Sequence, residues 1–266
     1  MSDTLADRMK SYEQEAAGRK LDAQLPVIAR LDGRRFSKFV KRFDKPFDAR
    51  FTDAMTETCK ALVEETAANF GYVQTDEVSL VWHIGENADS KHRLLFDGRV
   101  QKLCSVLAGY ASTSFLRAIL ARMPVDQHTE ILAACPHFDA RVWTVPDRSE
   151  AANYILWRAF ECEKNAISAY ARAWLEPEQM TGLDSAAQIE GAITMGAPEF
   201  ETVREEDRLG RYCRKVIEFR ELSNAERDTI PAEHRPQLGH KVRRQRMAEL
   251  ALNVRDVQGL ETLIFG

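Results

Sequence analysis

The stretch that most limits what this chain can become is Gly71 to Trp82. Two apolar runs, Gly71-Tyr72-Val73 and Val78-Ser79-Leu80-Val81-Trp82, flank the polar Gln74-Thr75-Asp76-Glu77, so the segment reads as a hairpin with carboxylates at its tip. A second β-run, from Pro26 to Leu31, ends in Asp32-Gly33-Arg34. If the two runs are neighbours in one sheet, Asp32 and Asp76 meet at its edge. Two anionic groups at close range are unfavourable unless a cation lies between them, and carboxylate oxygens suit hard Mg²⁺. Gly33 lets the backbone approach such an ion, so its main-chain carbonyl can join the ligand set. Arg30, Arg34, Arg35, Lys38 and Lys45 stand close by in the sequence. Carboxylates for a metal beside cations for phosphates is the composition of a phosphoryl or nucleotidyl transfer site.

The segments around the hairpin fix its context. Residues 48–69 place Phe51, Ala54, Met55, Thr58, Leu62 and Thr66 on one helical face, with Asp48 as N-cap, and Pro46 keeps Lys45 out of the helix. Strands are expected near 71–75 and 78–84, then a polar loop from Gly85 to His92, a helix over 97–122 and a strand over 137–146. Ala108, Gly109, Ala111 and Ser112 would let that helix lie close to a sheet. The order β-α-β-β-α-β predicts an α+β fold, a ferredoxin-like antiparallel sheet with helices on one face. An N-terminal helix over 3–21, capped by Ser2 or Asp3, is expected to pack on the core through Leu5, Met9, Tyr12 and Ala16. After the sheet come a helix over 149–173 with a break near Asn165, short helices and turns from Pro177 to Pro198, and a strand over 212–219. The chain ends in a polar tail carrying the basic run 240–246.

A net charge of −4 in 266 residues excludes a globally basic nucleic-acid binder while allowing a local basic surface. No uninterrupted apolar run approaches the roughly 20 residues that span a bilayer, and the charged N-terminus shows no secretory signal. Five widely spaced cysteines without a Cys-x-x-Cys pair argue against a disulfide framework or a zinc site and for a reducing cytoplasm. The histidines show no metal-ligand spacing, and no P-loop sequence is present.

Arg99 and Lys102 are three apart on a helix and project from one face, where they could grip a triphosphate. Lys241, Arg243 and Arg244 in the basic run could contact an RNA backbone; the alternative is an exposed helical surface balanced by Glu249.

Several of these pieces occur together and in order: Ala29-Arg30-Leu31-Asp32-Gly33-Arg34, Lys45-Pro46-Phe47-Asp48, Gln74 to Val81, Arg99-x-x-Lys102 and Phe138-Asp139-x-Arg141-Val142. Together they resemble the tRNA-His guanylyltransferase family, the 3′–5′ nucleotide-adding polymerases. The opening Leu5 to Glu13, with Trp157-Arg158 and Lys164-Asn165, is similar to its bacterial and phage branch. The resemblance implies a polymerase palm-like catalytic domain over 1–146, an extension over 147–223 completing it, and a partly helical C-terminal tail over 224–266. It implies two Mg²⁺ ions ligated by Asp32, the Gly33 carbonyl and Asp76, with Glu77 beside them as a further catalytic residue. By the same resemblance, Arg30, Gly33, Arg34, Lys45, Thr75, Arg99 and Lys102 bind ATP, GTP or another NTP, and Asn165, Arg208 and Arg211 contact tRNA. A homotetramer built from dimers is implied as well.

Where eukaryotic members carry His-Ile-Asn-Asn-Leu-Tyr, this chain has Glu163-Lys164-Asn165-Ala166-Ile167-Ser168, which points to template-dependent repair of 5′-truncated tRNA rather than dedicated G(−1) addition. The family's Lys-x-Gly is replaced by Arg208-Leu209-Gly210-Arg211, and the likeness fades after Pro236. Two other readings compete: a palm-type nucleotide cyclase making a small nucleotide, and a tRNA-binding protein that has lost catalysis.

Overall fold

The computed structural model describes residues 4–83, 94–221, 223–229, 231 and 241–266. In chain order the elements are α1 (Leu5–Ala17), β1 (Val27–Gly33), α2 (Phe36–Phe39), α3 (Ala49–Thr66), β2 (Phe70–Gln74), β3 (Glu77–Trp82), α4 (Val100–Leu120), α5 (His128–Ala134), β4 (Phe138–Thr144), α6 (Arg148–Ala171), α7 (Pro177–Met180), α8 (Ser185–Thr194), α9 (Glu205–Leu209), β5 (Arg211–Glu221), α10 (Asn224–Asp228), β6 (Lys241–Ala251) and α11 (Val257–Phe265).

The strands form one six-stranded sheet in the order β4-β1-β3-β2-β5-β6, with every neighbouring pair antiparallel. The first four strands, with α3 and α4, make the expected ferredoxin-like unit. Because strand side chains alternate, Ala29, Leu31, Val78 and Leu80 all face α3 and α4 and share a core with Met55, Leu62, Leu107 and Phe115. The opposite face is covered too. Ile28, Phe70, Tyr72 and Val81 lie buried with Ile155 and Cys162 of α6 and Leu260 and Ile264 of α11. The extension therefore closes the second face of the sheet, while β5 and β6 lengthen the sheet beyond β2.

Several elements differ from their sequence reading. The cap of α1 is Thr4, in a capping box with Asp7, and no residue of the helix is buried: Leu5, Met9 and Tyr12 all stay exposed. The helix α6 runs unbroken through Asn165, since nothing between 148 and 171 is Pro or Gly. In α4, Gly109 faces open space, and the approach to the core is made by Ala111, Ser114 and Ala118. That helix, 21 residues long and largely apolar, has the length and composition of a membrane span. Its apolar face is accounted for by burial against α3 and β4, through Leu103, Leu107, Phe115 and Ile119. The basic run lies in strand β6, paired along its length with β5, and not on a helix. The side chains of Lys241, Arg243 and Arg244, and the expected loop within 84–93, fall outside the described residues.

Candidate active site

The end of β1 is set from below by aromatic packing. The ring of Phe36, at the start of α2, packs at a tilt against Phe39, Phe115 and Phe138, with centroids 5.1–5.3 Å apart. Its ring lies so close under Gly33 that a Cβ there would come within 2.4 Å of it. Glycine at 33 is therefore required by packing, whatever its carbonyl binds. The Gly33 amide donates to the Asp76 carbonyl at 3.0 Å, tying the end of β1 to the hairpin tip.

The tip is a two-residue turn, because Gln74 and Glu77 are the last paired positions of β2 and β3. Thr75 occupies it with φ 44°, a left-handed conformation that is an outlier for a β-branched residue. The Gly33–Asp76 bond keeps Asp76 against the end of β1 in spite of this strain. Burial, and then the nearby charge of Asp32, pushes the Asp76 carboxyl up to about 6. The two carboxylates that the sequence pairs do come together.

Register lays out the neighbouring side chains in rows. Asp139, Asp32 and Glu77 stand side by side across β4, β1 and β3, and Arg141, Arg30 and Ser79 form the next row on the same face. The carboxylates of the first row have different surroundings. Asp32 and Asp139 are 40% and 54% exposed at the side chain, whereas Glu77 is 7% exposed. Glu77 accepts a bidentate pair from Arg158 of α6, both bonds at 2.8 Å, and Arg30 Nε stands 3.5 Å from Oε2. Held between two arginines, the Glu77 side chain is an anchor for α6, and its oxygens are not open to a ligand. Glu77 was expected beside Asp32 and Asp76; it is the strand partner of Asp32, with its carboxylate engaged by Arg158.

A cavity of about 530 Å³ opens on the other side of the tip. Its border includes Thr75 and Asp76, Lys45, the rings of Phe43 and Phe47, and Asn165 of α6. Asp76 thus borders both the cavity and the β1 edge. Gln74 also lines it, 2% exposed, with neither carboxamide atom hydrogen-bonded.

Other expected residues lie elsewhere. Arg34 is exposed on the turn after β1, its amide bonded to the His137 carbonyl. Arg99 and Lys102 sit at the opposite end of the sheet: Arg99 bridges to Lys20, upstream of β1, and Lys102 lies over the Phe96 ring. The chain leaves β3 at Trp82, which pairs with Val27 at the far end of β1 from Asp32, so α4 begins away from the carboxylates. Within one chain these two cations do not reach the site. Arg211 is 9% exposed and bonded to Asp53, Glu206 and Glu249, and Arg208 donates to the Val203 carbonyl while lying over the Phe200 ring. Both were expected to contact tRNA; the terminal nitrogens of Arg211 are taken up by internal acids, while Arg208 makes one internal bond, from Nε. Arg158 and Asp139 were legible only as parts of longer motifs, without a role.

Among the described residues no group of three or more His, Cys, Asp or Glu side chains is arranged to hold a metal ion. The oxygens of Asp32, Asp76 and the Gly33 carbonyl nonetheless fit Mg²⁺, which takes one or two carboxylates together with substrate phosphates. The raised affinity of Asp76 for a proton is the electrostatic mark of a pair short of positive charge.

Comparison with known proteins places this geometry. The family model described as Thg1, tRNAHis guanylyltransferase, matches residues 6–146. An uncharacterized protein, R259, of Acanthamoeba polyphaga mimivirus is 30% identical over 71% of this chain and 70% of its own length. The tRNA(His) guanylyltransferase of Schizosaccharomyces pombe is 30% identical over 63% of this chain, which spans 59% of that enzyme. A bacterial tRNA(His) guanylyltransferase-like protein in complex with ATP superposes with a TM-score of 0.76 at 25% identity, covering 98% of this chain and all of that one. The same comparison with such a protein in complex with GTP gives a TM-score of 0.69. The chain belongs to the tRNA-His guanylyltransferase family, nucleotidyltransferases that add nucleotides to tRNA in the 3′–5′ direction.

Proposed function

We propose that this protein extends the 5′ end of tRNA by templated 3′–5′ nucleotide addition, repairing 5′-truncated tRNA in the cytoplasm. The observation that carries this reading is the position of Asp76, which borders the cavity while lying against the end of β1 beside Asp32. A nucleotide in the cavity has Lys45 and Thr75 near its phosphates and Phe43 and Phe47 along its apolar walls. The RNA end meets it at Asp32. The 3′-hydroxyl of the nucleotide attacks the activated 5′-phosphate of the RNA, forming the new P–O bond, losing its proton and expelling AMP or pyrophosphate. Asp32, Asp76 and the Gly33 carbonyl would hold two Mg²⁺ ions, whose charge lowers the pKa of the attacking hydroxyl and steadies the leaving group. Asn165, on the cavity border, is near the nucleotide as well as the RNA end.

The departure at Glu163 to Ser168 supports repair over dedicated G(−1) addition. A homotetramer is the proposed assembly. The bare apolar stripe of α1 supports association, and light scattering behind a sizing column would report a mass other than four chains if this is wrong.

The decisive assay supplies Mg²⁺, all four NTPs and two tRNAs, one full-length histidine tRNA and one lacking its first 5′ nucleotide. Extension of the truncated tRNA by the templated base is expected, with little action on the other. Addition of G to the histidine tRNA alone would refute repair, and NTP consumption without growth of either RNA would put a nucleotide cyclase in its place. Asp32→Asn and Asp76→Asn should each lower extension by about 10²-fold or more.

A further inference from the structure

On the sheet face that α6 covers, the end of β1 and β4 that carries Asp32, Asp139 and Arg141 is left open. Its floor is the row Asp139 and Asp32 followed by the row Arg141 and Arg30, with Asp139 and Arg141 54% and 60% exposed. Its wall is one side of α6. Tyr154 is bonded to Ser79 and packs edge-on against Trp143 at 5.3 Å and Trp157 at 6.0 Å. Trp157 is 50% exposed, although a tryptophan is among the costliest residues to leave in water. The Arg158 guanidinium lies 4.6 Å from its ring centroid. That guanidinium is itself pinned by the bidentate bond to Glu77, whose strand partner is Asp32. One face of an exposed indole is thus fixed by a buried ion pair, next to the reacting edge and apart from the nucleotide cavity, whose border includes none of these residues.

We infer that this open cleft receives the 5′ end of the RNA, with Trp157 as the platform on which its terminal base stacks and with Glu77 and Arg158 as the residues that position the platform. The inference rests on the reading of RNA as the acceptor. Three observations select a nucleic-acid end as occupant. An aromatic face stacks on any base without choosing its sequence, which suits a site that must accept different 5′ ends. Arg30 and Arg141 stand one row behind the carboxylates, where phosphates following the terminal nucleotide would run. The cleft leads to Asp32, the only reacting group of the pair not on the cavity border. Glu77 acquires a purpose that its burial denies it as a metal ligand: it sets the position of Trp157 through Arg158.

The test uses the full chain and an acceptor-stem hairpin RNA with 2-aminopurine as its 5′-terminal base. Stacking on an indole quenches that base. Quenching is expected with the wild type, is lost in Trp157→Ala and is largely kept in Trp157→Phe. In the extension assay Trp157→Ala should lower kcat/KM for truncated tRNA about 10- to 100-fold, with the Kd for ATP and GTP unchanged. Glu77→Gln should reduce the quenching in wild-type Trp157 background, which a purely catalytic or metal-binding Glu77 would leave alone. Full quenching in Trp157→Ala, wild-type kcat/KM in that variant, or equal weakening of nucleotide binding would each overturn the inference. If the hairpin is quenched in a Trp157-dependent way but no nucleotide is ever added, the cleft assignment stands and the proposed reaction falls. If tRNA is extended equally by the wild type and Trp157→Ala, the reverse holds.

Discussion

Asp76 is a residue whose environment works against its charge, and that has a measurable sign. Its carboxyl is raised from the ordinary 3.8 to about 6, so between these values the folded state holds a proton that the unfolded state has released. The contribution is fully present below pH 3.8 and is lost as pH rises through 6. Asp76→Asn should therefore raise the Tm in EDTA at pH 8 and leave it nearly unchanged at pH 4, while abolishing nucleotide addition. Equal shifts at both pH values would contradict the electrostatic account. Gln74 presents a second cost at the same tip. Its unpartnered carboxamide is buried, and Gln74→Leu should stabilise the free protein by about 1 kcal/mol, seen as a Tm rise of about 2–4 °C. Thr75 adds strain at φ 44°, so Thr75→Gly should relieve up to about 1 kcal/mol in a urea melt yet weaken nucleotide addition. Three adjacent residues that each oppose stability mark a segment shaped for its ligands.

At the scale of elements, Arg211 shows how β5 is fastened. Its guanidinium joins Asp53 of α3, Glu206 of α9 and Glu249 of β6. Arg211→Ala should cost about 2 kcal/mol in denaturant melts. That is less than a fully buried pair, since the three acids keep 30–42% of their side chains exposed to water. The sequence carried the ferredoxin-like order of strands and helices clearly, because period-two runs and a long amphipathic helix are local signals. It also carried the meeting of Asp32 and Asp76, which follows from strand order and a two-residue tip. What it did not carry depends on direction and distance. Arg99 and Lys102 follow Asp76 closely in sequence, yet β3 takes the chain to the other end of the sheet before they occur. The Glu77–Arg158 bond joins residues 81 apart, and only the packing of α6 on the second face brings them together. The exposure of α1 was equally hidden, since an amphipathic pattern states which face is apolar and not what covers it.

Over the whole molecule the sheet is unevenly supported. β2 pairs with β5 only from Gly71 to Val73, while β5 and β6 pair with each other from Arg211 to Glu221. Beyond Cys213 the two strands form a ribbon with Ile217 and Phe219 exposed. A two-stranded ribbon holds little stability of its own, so amide hydrogens from Val216 to Phe219 should exchange far faster than those of Ile28 to Leu31 and Val78 to Val81. Comparable protection in both would mean that the ribbon is held by something further, such as a second copy of the chain. The placement of Asp76 between the cavity and the β1 edge has a consequence in kinetics. On the proposed reaction the nucleotide joined in the cavity becomes the new 5′ end of the RNA, so a fresh nucleotide can enter only after that end has moved out past Asp76 toward the β1 edge. Successive additions in a single encounter would then depend on whether the RNA shifts by one position faster than it leaves.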